Sequence, residues 1–499
     1  MKQQFVGLLF AATIVSTALA ATPPVLWNQR CDGPGGGSDA AFAMLLDSAG
    51  NVFATGQSLG PAGVADYITL KYSNDGIPLW TNRYHGLAAR DDGAKAMAID
   101  SSGDVIVTGS SAGGGNQSDC VTIKYSNAGV PLWTNRFVCA GDTCIGTGVQ
   151  VDTNRNVFVS AYAYYHGLVT LKFSASGASV WTNYLGETVN TYCYASGIGI
   201  DGNGQVVITG ISTRTGTGDD WVTAAYSNAG LPLWTNHYDG PWHGDDHANA
   251  LAIDSSGNVF VTGDDVNGGG SVEFLTIKYS NNGVPSWTNT YPGHTMYGGA
   301  NNVAVDQADN VVIIGAENGS GTYEDFTTIK YSNNGVPLWT NYYRGVYGDV
   351  PAALAIDRDG DIFVTGTSDD AITLRFDRLT VAYSSSGALL WTQRYNGIGN
   401  DDDSGSAIAV DGDYNVYVTG YSDGINGLAD ILTTKYGFVR PPLKAQRQNS
   451  SIVLSWTNSL FALQSAPSFA GPFLTLSSAT SPYTNSIGGS QQFFRLKVK

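Results

Sequence analysis

The 499-residue chain predicts an all-β fold: an eight-bladed β-propeller of four-stranded blades, closed by an N-terminal strand and followed by a small β-sandwich. Three observations predict it. A tryptophan recurs as Trp27, Trp80, Trp133, Trp181, Trp234, Trp287, Trp339 and Trp391, a period near 52 residues. Each period holds four short strand-like pieces between turn signals. Charged residues are only 13% of the chain while Gly numbers 63, which suits short strands and tight turns better than amphipathic helices.

The elements follow in chain order. Residues 1–20, MKQQFVGLLFAATIVSTALA, join Lys2, an apolar core from Phe5 to Val15 and a small-residue cleavage site at Ala18 to Ala20, and so predict a signal peptide. The expected setting is secreted: extracellular, cell-surface or periplasmic. No later apolar run approaches the roughly 20 residues that would cross a bilayer.

The propeller is expected over residues 22–438. In the second unit its strands a to d are AKAMAID (94–100), DVIVTG (104–109), DCVTIKY (119–125) and PLWTNRF (131–137). Strand a ends in Asp47, Asp100, Asp152, Asp201, Asp254, Asp306, Asp357 and Asp411, so eight a strands match the eight tryptophans. VLWNQR, around Trp27, is a d strand with nothing before it, and the last unit stops at Gly437 after its c strand. The first strand must complete the last blade. Two before each terminal Asp stand mostly small residues, such as Ala98 and Ala409, expected to line a crowded central channel. Trp80 and Tyr84 share a face and are expected to pack between blades.

These residues, and above all GNDDDSGSAIAVDGDYNVYVTG (399–420), resemble the bacterial secreted β-propeller repeat family. The resemblance implies export and a cell-surface or extracellular setting, and brings no catalytic residues with it. After a linker at 439–442, residues 443–499 read as the sandwich module. It is similar to C-terminal modules of many bacterial secreted proteins, which implies attachment; a structural cap is the alternative.

The formal charge of −17 repels phosphate backbones and excludes nucleic acid as a natural partner. A cation, or a protein or glycan bound by polar and aromatic loops, fits better. The a-to-b turn keeps one length in every unit and the c-to-d turn in all seven units that have both strands, whereas the b-to-c and d-to-a connections vary. Both variable connections open on one face, where a site is expected. Eight residues before the terminal Asp of each a strand, this face carries Asp39, Asp92, Cys144, Cys193, Asp246, Gly298, Asp349 and Asp403. Five carboxylates around one channel mouth either accept backbone N–H groups in their own loops or hold Ca²⁺. His243 and His247, with Asp245 and Asp246, could hold Zn²⁺ or another transition metal, or form a solvated loop. Tyrosines of AYAYYH (161–166) could stack on sugars or a protein. The five cysteines allow Cys144–Cys193 with Cys120–Cys139, or a local Cys139–Cys144 bridge. DRDGD (357–361) and DGDYN (411–415) read as Asp-capped turns, because they lack the Gly and Glu of calcium loops.

Two classes of function follow. The first is a non-catalytic binding or scaffold protein, since no nucleophile, base and orienter stand together by motif. The second is an enzyme at the channel mouth, either a saccharide lyase or hydrolase using the aspartates and histidines, or a quinone-dependent dehydrogenase. The design is similar to that of pyrroloquinoline-quinone dehydrogenases, with GVPLW (129–133) near their docking motif, but their vicinal cysteine pair is missing.

Overall fold

The computed structural model describes residues 22–498 except 115–116, 140, 187–192, 215, 296–297, 318–322, 346, 370–374, 438–442, 449–450, 457–460, 469–470 and 487–491. The expected signal peptide and the 439–442 linker lie outside the described residues. No helix among the described residues is long and apolar enough to cross a membrane.

Eight four-stranded antiparallel sheets form the propeller. Blade 2 is typical: strand a is Gly93–Ile99, b Val105–Ala112, c Ser118–Tyr125 and d Pro131–Phe137. Strand b runs past the expected Gly109 because its register with c continues to Ala112 opposite Ser118. In blade 8, Val25–Cys31 pairs antiparallel with Ala429–Tyr436 and supplies strand d, so the chain closes on itself as expected.

Each strand ends in local chemistry. In the a-to-b turn the Asp47 carboxylate accepts the N–H groups of Ala49 at 3.0 Å and Asn51 at 2.9 Å, and Gly50 takes a positive φ of 76°. Asp357 and Asp411 cap their turns in the same way. The YSNxGxPLWTN phrase is explained by the next blade. Trp80 donates Nε1–H to the carbonyl of Asn127 at 3.0 Å and Asn82 donates to that of Gly129 at 2.7 Å, both in the following c-to-d turn. Gly129 lies flat on the indole at φ 82°, where a Cβ would come within 2.8 Å of the ring. Trp80 also meets Tyr125 of blade 2, and Tyr84 accepts an Arg136 N–H from blade 2 at 3.1 Å, so the pair does pack between blades. In blades 1 to 6 each phrase is thus both a clasp and the turn that the preceding clasp grips.

The small residues of strand a face neighbouring blades rather than the axis. Ala98 packs with Val149 and Val151 of blade 3, while Met97 and Ile99 pack with Ala43 and Leu45 of blade 1. The reason is that each blade stands edge-on to the channel, so both faces of its inner strand are covered. What sequence reading missed is a bulge in every a strand, as between Ala94 and Ala96. In blades 4 to 6 the bulged residues tie the inner strands together: Ser196 donates to the carbonyl of Ala248, Asn249 to that of Ala300 and Asn301 to that of Pro351.

Beyond the repeat, Lys444–Gln448, Ser451–Ser455 and Tyr483–Ser486 form one three-stranded sheet, and Phe461–Ala466, Leu474–Thr475 and Phe493–Val498 form another. This module docks on the propeller at the closure seam. Leu390 and Trp391 share one core cluster with Leu454, Trp456, Phe461, Leu463 and Leu496. The residue before the repeat tryptophan is about half exposed elsewhere, as in Leu79, Leu132 and Leu233, but Leu390 is only 5% exposed. Closure splits blade 8 between strands c and d, so blade 7 has no following c-to-d turn to grip. Among the described residues Trp391 accordingly finds no acceptor for its Nε1–H, and the module covers the ring instead.

Candidate functional site

On the variable face, four blades carry one side-chain row. In blade 1 it runs Asp39 on strand a, Ser58 on b, Asp66 on c and Arg83 on d, with Asp39 opposite Ser58 and Ser58 opposite Asp66 in register. Blade 2 repeats it as Asp92, Ser111, Asp119 and Arg136, blade 7 as Asp349, Ser368, Asp377 and Arg394, and blade 8 as Asp403, Ser422, Asp430 and Arg30. The guanidinium joins serine to strand-c carboxylate: Arg136 donates to Ser111 at 2.7 Å and Asp119 at 2.6 Å, and Arg30 to Ser422 at 2.6 Å and Asp430 at 2.8 Å.

The five predicted carboxylates are all but fully buried and do not converge on one mouth ion. No two of them share a cluster of liganding atoms among the described residues. Each instead fastens its own loops. Asp92 accepts Gly86 N–H at 2.6 Å from the d-to-a connection and Ala112 N–H at 2.8 Å from the end of strand b. Asp39 takes Gly33 and Leu59, and Asp246 takes Gly240 and Val266, in the same manner. Asp349 and Asp403 accept Gly345 and Gly397. Burial pushes the carboxyls of Asp39, Asp349 and Asp403 up. Asp92→Ala is expected to cost about 1–3 kcal/mol, because two buried N–H groups lose their acceptor; a denaturant melt unchanged from wild type would show that water replaces the carboxylate.

Blades 3 to 6 depart from the row. Blade 3 has Cys144 where the others have Asp, and its neighbours are Cys120 and Cys139, whose contact pushes the Cys144 thiol well up. None of the five cysteines is joined in a disulfide. Cys193 sits in a different core cluster, beside Ser212, so the structure does not bring together the Cys144–Cys193 pair suggested by ring position; Cys144 reaches only toward strand c and the preceding connection. The loop-fastening role passes to Asp142, which accepts Tyr165 N–H at 2.7 Å and meets His166 Nδ1 at 3.0 Å. Beside it opens a cleft of about 430 Å³ lined by Gln117, Thr143, Tyr162, Tyr164 and Tyr165. Tyr164 and Tyr165 meet edge to face, and Tyr162 meets Tyr194 of blade 4 at 4.8 Å.

The histidines of the 4-to-5 connection separate. His243 is exposed and pairs with Asp239 at 2.7 Å, whereas His247 pairs with Asp264 at 2.9 Å and Asp219 at 3.7 Å. Neither joins a metal-sized group among the described residues, because His247 opens strand a of blade 5 while His243 caps the loop. The Asp264 hydrogen bond raises the His247 pKa. Exposed aromatic rings gather over this half of the ring: Tyr164, Tyr165 and Tyr194, then Trp242 at 63% exposure, lying over Gly268, and Tyr323.

Over 73% of its length the chain is 24% identical to an uncharacterised WD repeat-containing protein of Acanthamoeba polyphaga mimivirus, and it spans 32% of that protein. A europium-containing methanol dehydrogenase superposes with a TM-score of 0.52 at 11% identity, over 83% of this chain and 93% of that one. A polysaccharide lyase, an ulvan lyase, superposes with a TM-score of 0.42 at 12% identity, over 72% of this chain and 96% of that one. At such identity the dehydrogenase likeness is one of fold. Residues 390–428 match the family model of the SBBP beta-propeller repeat.

Proposed function

We propose that this chain is an exported, non-catalytic binding propeller that takes a glycan on the variable face over blades 3 to 6. One observation carries the reading. Blades 7, 8, 1 and 2 keep the Asp–Ser–Asp–Arg row, while blades 3 to 6 give it up and display the Tyr164/Tyr165 cleft, Tyr194, Trp242 and Tyr323. A flat ring offers a sugar's C–H face a large apolar contact at low entropic cost, and Gln117 and Thr143 supply hydrogen-bonding groups beside it. Export rests on the signal-peptide pattern of residues 1–20. The catalytic alternative is less well supported, because the aspartates that would serve as acid and base are buried and already accept backbone N–H groups. Screening the mature chain on an immobilised glycan panel tests the proposal. Binding that falls at least about tenfold in Tyr164→Ala/Tyr165→Ala, with melting unchanged, is the expected result; retention in that variant, or no glycan bound at all, would sink it.

A further inference from the structure

Blade 5 alters the side-chain row in a way that removes a cation and adds an anion. Where blades 1, 2, 7 and 8 place Asp, Ser, Asp and Arg, blade 5 places Asp246, Asp265, Glu273 and Thr290. Two carboxylates and a guanidinium, formal charge −1, become three carboxylates, formal charge −3. The Asp246 and Asp265 carboxyls come within hydrogen-bonding reach of each other, and both abut Gly240. Burial, aided by Asp265, pushes Asp246 up to about 7.

The pair lacks what such a pair needs. Asp265 is 5% exposed; its Oδ2 accepts Tyr238 O–H at 2.8 Å, but its Oδ1 faces Asp246 with no donor. Asp239, seven residues before Asp246, also has a buried oxygen without a donor, and its carboxylate lies with those of Asp220 and Asp246 within 4.8 Å. Oδ1 of Asp349 and of Asp403 likewise meets no donor, yet Arg394 and Arg378 stand close enough to hold their charges. The other three acidic clusters also contain a guanidinium: Arg30 on Asp430, Arg83 on Asp66 and Arg375 on Asp401. Among the described residues no Lys or Arg pairs with Asp239, Asp246 or Asp265.

We infer that a divalent cation of the Ca²⁺ class takes the place of the missing arginine at Asp246, where the Asp265 carboxylate meets it from one side and the Asp239 carboxylate lies within 4.8 Å of it, at the junction of blades 4 and 5. Carboxylate oxygens from strand b (Asp265) and from the d-to-a connection (Asp239, and Asp246 just before strand a) suit a hard cation that accepts flexible oxygen ligands. Bringing these carboxylates together with no Lys or Arg beside them, and only the exposed His243 on Asp239, is costly, which is the force that binds the ion. The ion would also lock the connection that carries Trp242.

Calorimetric titration of the chelator-stripped full chain with CaCl₂ is the test. One saturable site per chain is expected. In Asp265→Ser/Thr290→Arg, which restores the row of blades 1 and 2 and supplies its own cation, affinity should fall at least about 100-fold with melting unchanged or raised. Asp265→Asn, which keeps the shape, should weaken binding in the same direction. Asp423→Asn, in the separate blade 8 cluster, should bind as wild type. No saturable binding to wild type would leave Asp246 and Asp265 sharing a proton and overturn the inference. Equal affinity in Asp265→Ser/Thr290→Arg, or loss only in Asp423→Asn, would also overturn it.

Discussion

A chain that begins at residue 32 is expected to lose its single cooperative unfolding transition. Val25–Cys31 forms strand d of blade 8, and its removal leaves Ala429–Tyr436 as an open edge. The loss has three parts. A ladder running from Val25 opposite Tyr436 to Cys31 opposite Ile431 disappears, at about 1 kcal/mol for each backbone hydrogen bond. Arg30 no longer reaches Ser422 and Asp430, which stay with an uncompensated carboxylate. Trp27 no longer donates to the carbonyl of Asn74 at 2.9 Å, so the clasp from blade 8 to blade 1 opens. Together these cost on the order of 5–10 kcal/mol, comparable with the whole stability of a folded domain. Urea unfolding followed by tryptophan fluorescence would report it, and a synthetic peptide spanning 22–32 should restore the transition. A truncated chain that melts like the full one would mean that closure is not what holds the ring.

Trp80→Ala should be strongly destabilising, as should the equivalent change at the other repeat tryptophans of blades 1 to 6. It removes a ring wedged between Phe53 and Tyr125, the hydrogen bond to Asn127 and the surface on which Gly129 rests. Trp→Ala in a packed site costs about 3–5 kcal/mol, and the half-exposed edge of this indole puts it toward the lower figure. The glycine side of the clasp gives a matching test. Gly129→Ala must keep φ at 82° and place a Cβ within 2.8 Å of the indole, whereas Gly114→Ala meets nothing within 4 Å. Thermal melts should show a clear drop for the first and almost none for the second. Equal melts would mean that the Trp80 ring moves aside freely and that the clasp contributes little.

Much of this was legible in the sequence. Trp and Asp recurrences count blades and strands because they mark turns, and a turn is built by residues within five of each other, as Asp47 is by Ala49 and Asn51. Fixed turn lengths on one face and variable loops on the other point to the side where Tyr164, Tyr165 and Trp242 emerge. The Asp–Ser–Arg row also leaves a trace, since Ser58, Ser111, Ser368 and Ser422 each fall 19 residues after their Asp. That spacing becomes meaningful only once the strands are paired, and it shows where blade 5 breaks the pattern with Asp265.

The sequence by itself determined the number of blades, their strand order and the closure between the two ends of the repeat, because these depend on local periodicity and on which strand is missing at each end. Only the tertiary structure decided the rest. A bulge in each a strand resets the register, so that Asp246 meets Asp265, nineteen residues on across a hairpin, instead of a shared mouth. Docking of the C-terminal module on Leu390 and Trp391 likewise depends on a turn that closure removes from blade 8, a gap that exists only when the ring is assembled.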